Sequence, residues 1–340
     1  MNSLPDATAD SPAELPSSRE ERLRIVLHEL ERRFGPWIVY RLKDARPSVG
    51  DLAISSGSLS LDLATGIDGF PRGRITELIG PTSSGKSVLA FHLLANAQRQ
   101  QGFVTFVDAA HRASFEQMRR CGVNLADLFL VVPESAREAL DVAALLAESG
   151  GLDALVIGPL TDLIGRSLQA GQKTAEKLAR LNAIMHGSPT AVVFLTDEGF
   201  RSSIVQASIP MSRALRHFAS LRIKVSPLRP LLHPSGDVFG LRIRAETIKN
   251  KLAPARRQVE LDVLRERGIH HEAELVDLGL ERAILKDGPL GICFDHYLLG
   301  RGRTRAIAAL EQDPSLARKI HAYLSVPHPP GPSPSPGRRG

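Results

Sequence analysis

At 340 residues, 43% of them apolar, the chain is long enough for one large core with smaller additions. It holds no apolar run of about eighteen residues, so no membrane span is expected. The net charge of +6 is unevenly spread: between Arg201 and Arg267 stand fourteen Lys or Arg against five Asp or Glu, an excess of nine. A basic stretch of this kind suits a polyanion, nucleic acid first, or forms a solvated face with no ligand.

The first residues, "MNSLPDATADSPAELPSSRE", are polar and acidic with three prolines and lack the basic-then-apolar order of a secretion signal. They predict a disordered tail over residues 1–18. Residues 19–34 place Leu23, Val26, Leu27, Leu30 and Phe34 at helical spacing. "WIVYRL" (37–42) then reads as a short strand, so residues 19–50 form a helix and strand that pack on their own core or dock onto another copy. From residue 51 strands and helices alternate. "RITELIG" (74–80), "FVTFVDA" (103–109), "LDALVIG" (152–158) and "TAVVFLTD" (190–197) read as strands. "KSVLAFHLLANAQRQQG" and "SAREALDVAALLAESGG" read as helices, the second opened by a Ser135–Glu138 capping-box pair. This alternation predicts an α/β fold, a mainly parallel sheet covered by helices. Past residue 220 strands follow one another without helices, predicting an antiparallel extension. A small helical module begins near residue 270. The Pro-rich end, 327–340, predicts a second disordered tail. Cys121 and Cys293, the two cysteines, sit in apolar stretches and read as buried, reduced thiols of a cytosolic protein.

"GPTSSGKS" (Gly80, Pro81, Thr82, Ser83, Ser84, Gly85, Lys86, Ser87) is a complete G-x-x-x-x-G-K-[ST] loop between a predicted strand and a predicted helix. Backbone N–H groups of such a loop and of the helix that follows, here from Val88 on, attract phosphate oxygens, and glycines let the backbone approach closely. Lys86 reaches the β- and γ-phosphates, and Ser87 offers its hydroxyl to a metal, magnesium. The loop predicts a site for ATP.

"SSGSLSLDLATGIDGFPRGRITELIGPTSSGKS", "FVDAAHRASF", "ALRHFAS", "ETIKNKLAPARRQVELDVL" and "HHEAELVDLGL" resemble the RecA family of bacterial recombinases, in order and spacing, over roughly residues 20–325. The resemblance implies a RecA-type P-loop ATPase core (51–268), an N-terminal helix–strand extension (19–50) that docks on the neighbouring subunit, and a small α+β C-terminal domain (269–326). It further implies ATP and Mg2+ as cofactors, single-stranded DNA as partner, a cytoplasmic location, and a filament of identical or mixed RecA-like subunits. A repair polymerase or a repressor is implied as a further partner. Lys249 and Lys251 of "KNK" match lysines that reach a neighbour's ATP. The DNA loops correspond to about 161–172 and 199–213, which brings Arg201, Arg213 and Arg216 forward as DNA contacts.

Departures from the family cluster at catalysis. "DAAH" puts Ala110 where a glutamate activates the attacking water, and a methyl group accepts no proton. The magnesium-side aspartate matches Gly158, the γ-phosphate-sensing glutamine matches Asp197, and the adenine-stacking tyrosine matches Gln117. The first DNA loop is shorter than usual, and the acidic C-terminal tail is replaced by prolines and arginines. In the family a cis peptide follows that aspartate; a Gly-Pro bond lowers its cost from about 3–4 to about 0.5–1 kcal/mol. One expectation is therefore a cis Gly158–Pro159 bond, the other an ordinary turn. Asp197 and Asp108 remain as acids for catalysis beside Lys86, with Glu198 and His111 close in sequence; alternatively Asp197 and Glu198 are solvated at a strand end. Two readings result: a filament-forming recombinase of homologous recombination and DNA repair with weak ATP hydrolysis, or a non-hydrolysing accessory subunit serving a recombinase or translesion polymerase.

Overall fold

Residues 19–34 form the helix that their periodicity predicts, α1 (Arg19–Phe34), in the first of two units, Met1–Val49. The computed structural model describes residues 18–34, 53–159, 168–198 and 205–326. The Ser18 hydroxyl accepts the Glu21 N–H at 3.0 Å. Glu20 and Glu21 in the first turn and Arg32 and Arg33 in the last complement the helix dipole. Leu23 and Val26, from its apolar stripe, are more than half exposed. The predicted strand 37–42, the Pro-rich tail and most of the N-terminal tail lie outside the described residues, as do the larger part of the first DNA loop and the first residues of the second.

The second unit, Gly50–Gly340, opens with β1 (Ala53–Ile54), α2 (Leu59–Thr65) and β2 (Phe70–Pro71). Alternation follows: β3 (Arg74–Gly80), α3 (Lys86–Arg99), β4 (Val104–Val107), α4 (Phe115–Arg120), β5 (Leu128–Val131), α5 (Ala136–Glu148), β6 (Ala154–Ile157), α6 (Leu168–Met185), β7 (Ala191–Asp197) and α7 (Val205–Phe218). Then come β8 (Leu221–Leu232), β9 (Val238–Asn250), β10 (Gln258–Leu264) and β11 (Gly268–Ile269). The last layer is α8 (His271–Glu281), β12 (Lys286–Gly288), β13 (Gly291–Phe294), β14 (Tyr297–Gly300), α9 (Arg303–Gln312) and α10 (Pro314–Ser325).

One nine-stranded sheet, in the order β11-β10-β9-β8-β3-β7-β6-β4-β5, organises the unit. Every pairing from β8 to β5 is parallel, and β8 through β11 form the antiparallel extension. Burial on both faces explains the continuous apolar run of β6 and that of β4, broken only by Thr105; all residues of both strands are buried. Strand alternation sends Val156 and Val193 into a core shared with α3, and Leu155, Ile157, Val192 and Phe194 into the opposite core shared with α5. A third cluster joins α8, α9 and α10 to β13 and β14. No described helix is long and apolar enough to cross a membrane.

Two local expectations need correction. Ser135 caps α5 by accepting the Glu138 N–H, but the Glu138 carboxylate reaches back to Glu134 N–H, so the pair is not reciprocal. Cys121 is buried as expected, whereas Cys293 is only partly buried, because β13 belongs to a small sheet with one face toward solvent.

Two buried polar groups tie α2 and α3 to the end of the chain. Ser58 and the Ser60 N–H both donate to the Glu274 carboxylate of α8. The nearby Asp62 carboxylate accepts from the Ser55 and Ser56 hydroxyls and the Ser56 N–H. Burial, with a smaller contribution from the Glu274 charge, pushes the Asp62 pKa up to about 7. His92 of α3 accepts the Ile269 N–H at 3.0 Å, and burial brings its pKa down to about 3, so its ring is neutral.

Candidate functional site

Parallel strands share a direction, so β3, β4, β6 and β7 end at one edge of the sheet, where open α/β sheets bind ligands. The loop Gly80–Ser87 leaves β3 at that edge and turns into α3, whose first residue is Lys86. Gly80 is held to glycine by a close approach: a Cβ there would lie 2.0 Å from the Val225 carbonyl oxygen. Gly85, at φ 96°, takes the left-handed turn that aims the α3 N-terminus into a cavity of about 530 Å3. Residues Thr82 to Val88 line it, together with Asp108, Ala110, Gln117, Gly158 and Asp197. Gly80 and Pro81 take part through their carbonyls.

Lys86 is nearly buried. Its ammonium donates to Gly80 O at 2.9 Å and Pro81 O at 2.7 Å and pairs with Asp197 Oδ1 at 3.0 Å. The β3–β7 register explains the pairing, since Gly80 stands directly beside Asp197. Alternation then sends the next side chain elsewhere: Glu198 pairs with Lys224 at 2.9 Å while its N–H donates to Gly80 O. Asp197 is therefore in the site, and Glu198 is not. Asp108 lines the cavity, but its two oxygens accept the Arg112 and Ala113 N–H groups at 3.0 Å each, closing the turn after β4. His111 is exposed and outside the cavity wall.

The cis expectation at Gly158–Pro159 is overturned: no described residue follows a cis peptide bond. Gly158 N–H donates to Val107 O at 2.9 Å, which continues the ladder past β6. A residue before proline favours extended backbone, and trans is lower by about 0.5–1 kcal/mol, so strand geometry and proline agree on trans.

Lys249 and Lys251 do not line the cavity. Lys249 donates to the carbonyls of Arg216 and His217 at 2.6 and 3.0 Å, and Lys251 to His217 O at 3.4 Å, so both cover the C-terminus of α7. Burial, and then the Lys251 charge, lower the Lys249 pKa. Arg213 and Arg216 are exposed on α7, and Arg201 lies outside the described residues. Sequence reasoning missed Arg265, which the β10–β11 turn brings to the cavity. Its place inside the basic stretch was the available signal.

Magnesium fits the donors present: the half-buried Ser87 at the start of α3 lines the same cavity as the Asp108 and Asp197 carboxylates. Residues 21–270 match the family model described as the RecA N-terminal domain. The chain is 33% identical to Protein RecA of Rhodopseudomonas palustris over 320 residues, covering 90% of this chain and 91% of the relative. It is 34% identical to Protein RecA of Solidesulfovibrio magneticus over 332 residues, 93% of each chain. For Protein RecA of Gluconobacter oxydans the identity is 34% over 320 residues, 90% of this chain and 92% of the relative.

Proposed function

Because the chain belongs to the RecA family, we propose that it serves recombination and repair by binding ATP at the Gly80–Ser87 loop and single-stranded DNA elsewhere. Magnesium, held by Ser87, would bridge and neutralise phosphate charge there. Assembly with copies of itself, or with another RecA-like chain, uses α1, whose exposed Leu23 and Val26 suit a neighbour's surface. Lys249 and Lys251 then serve a neighbouring subunit's nucleotide, since they stand apart from their own. Arg213 and Arg216, with Arg201, supply charge for a phosphate backbone.

One observation carries the hydrolytic part. The cavity wall holds Ala110 and Gly158, and its two carboxylates are engaged, Asp108 by backbone N–H groups and Asp197 by Lys86. A general base is worth about 10²–10⁴-fold in rate, so ATP is bound well and hydrolysed slowly. ATP turnover with and without single-stranded DNA tests this, beside Lys86→Ala and the pair Ala110→Glu, Gly158→Asp. Slow turnover in the parent, faster in the double variant and absent in the lysine variant, supports the reading. Brisk DNA-stimulated turnover in the parent contradicts it.

The same engaged carboxylates favour a second reading, a regulatory subunit for a recombinase or a repair polymerase. It predicts ATP binding with no turnover, and particle size that does not grow with added DNA.

A further inference from the structure

The Lys86–Asp197 pair has a consequence for which nucleotide the site prefers. An ammonium has three N–H donors. In Lys86 all three have acceptors within 3.0 Å: Gly80 O, Pro81 O and Asp197 Oδ1. The two side chains are 6% and 16% exposed, so their attraction is only weakly screened. Neither partner is free to drift. Lys86 is the first residue of α3, and Asp197 is locked by the β3–β7 register beside Gly80.

We infer that Asp197 is a specificity-determining residue of the nucleotide site, a fixed counter-ion that holds Lys86 against the loop and disfavours triphosphates relative to diphosphates. The inference rests on the nucleotide reading above. A terminal phosphate that recruits Lys86 takes the place of one of these three acceptors and, whichever it displaces, finds the Asp197 carboxylate as a like-charged neighbour. A triphosphate carries more charge than a diphosphate and extends it beyond the loop, toward the end of β7. The repulsion therefore falls mainly on the γ-phosphate. Glu198 provides an internal control: it has the same charge one residue further on, but is engaged by Lys224 on the other side of the strand.

The test is calorimetric titration of the full chain, in magnesium buffer, with ADP and with the β,γ-imido analogue of ATP. Asp197→Asn is expected to tighten the analogue on the order of tenfold and ADP by less than about threefold, the difference of one like charge at partial screening. Asp197→Gln is the second variant should the first not fold, and thermal unfolding checks both. Glu198→Gln is expected to leave the ratio of the two affinities unchanged. Equal tightening of both nucleotides, or no change, overturns the inference while leaving nucleotide binding intact. Weaker binding of the analogue in Asp197→Asn overturns it in the opposite sense, making the carboxylate a helper of the bound metal. Failure of the parent and both Asp197 variants to bind either nucleotide overturns the inference together with the nucleotide reading.

Discussion

Replacing Asp62 with asparagine should reverse the sign of its effect on stability between about pH 3.5 and about pH 8. In the unfolded chain this carboxyl ionises near its ordinary pKa of 3.8; in the folded protein it keeps its proton to about 7. The folded pKa is raised, so the group's stabilising contribution is complete below the unfolded value and is lost as pH rises through the folded one. One pKa unit corresponds to about 1.4 kcal/mol, so the loss sets in above the unfolded value of 3.8, reaches about 2 kcal/mol by about pH 5 and about 4 kcal/mol by about pH 7, and then levels off. Asparagine keeps an acceptor for the Ser56 N–H, which Asp62 Oδ1 accepts at 2.8 Å, and has no charge to bury. Its imperfect partnership with the Ser55 hydroxyl costs about 1 kcal/mol at every pH. Asp62→Asn should be the less stable protein by about 1 kcal/mol at about pH 3.5 and the more stable by about 3 kcal/mol at about pH 8, the two crossing near about pH 4.5. Urea denaturation of both proteins at several pH values measures it. Because Glu274 is present in both, its own titration largely cancels. A stability difference that stays constant from pH 5 to 8 would refute the reasoning, and would mean that Asp62 is already ionised in the fold.

Other outcomes follow from single contacts. Gly80→Ala forces a Cβ onto the Val225 carbonyl, and a loss of about 3 kcal/mol or more is expected, read as a lowered melting temperature; an unchanged one contradicts the packing. Arg303→Ala leaves the buried Asp262 with Arg242 alone and should cost about 2–3 kcal/mol in denaturant titration. Lys249→Ala uncovers the carbonyls that end α7, which should lower stability by about 1 kcal/mol while leaving the nucleotide affinity of the isolated subunit within about twofold. Burial pushes the Cys121 thiol up to about 12, so a disulfide reagent at pH 8 should modify it only after denaturant is added.

The phosphate loop was legible because its information is local: glycines and a lysine at fixed offsets, between two readable elements. The buried strands were legible as apolar runs, and the antiparallel extension as strands without intervening helices. β5 escaped notice because it is an edge strand whose central Phe129 and Leu130 are exposed, so no periodicity marks it. Arg265 arrives through the turn of a strand pair, a tertiary fact that sets it apart from the other cations of the basic stretch around it. Asp197 and Glu198 look equivalent as neighbouring letters, and only strand alternation and the β3–β7 register separate them. For Lys249 and Lys251, what their ammonium groups meet within the chain is the backbone end of α7, and backbone carbonyls leave no trace in a sequence.

The contact between Gly80 and Val225 also divides the site by how freely it can vary. Every single-base change in a glycine codon that yields another amino acid installs a Cβ, and at Gly80 each such residue meets a backbone oxygen 2.0 Å away. At Gly158 the same atom would meet Val107 O at 3.1 Å, a crowding that a small backbone adjustment relieves. One base change likewise separates every alanine or glycine codon from one for aspartate or glutamate. The first glycine of the loop is thus closed to mutation, while Ala110 and Gly158 stay one base change from an acidic residue. On the proposed function, hydrolysis can be lost or gained in such a chain while the loop that holds the nucleotide is left unchanged.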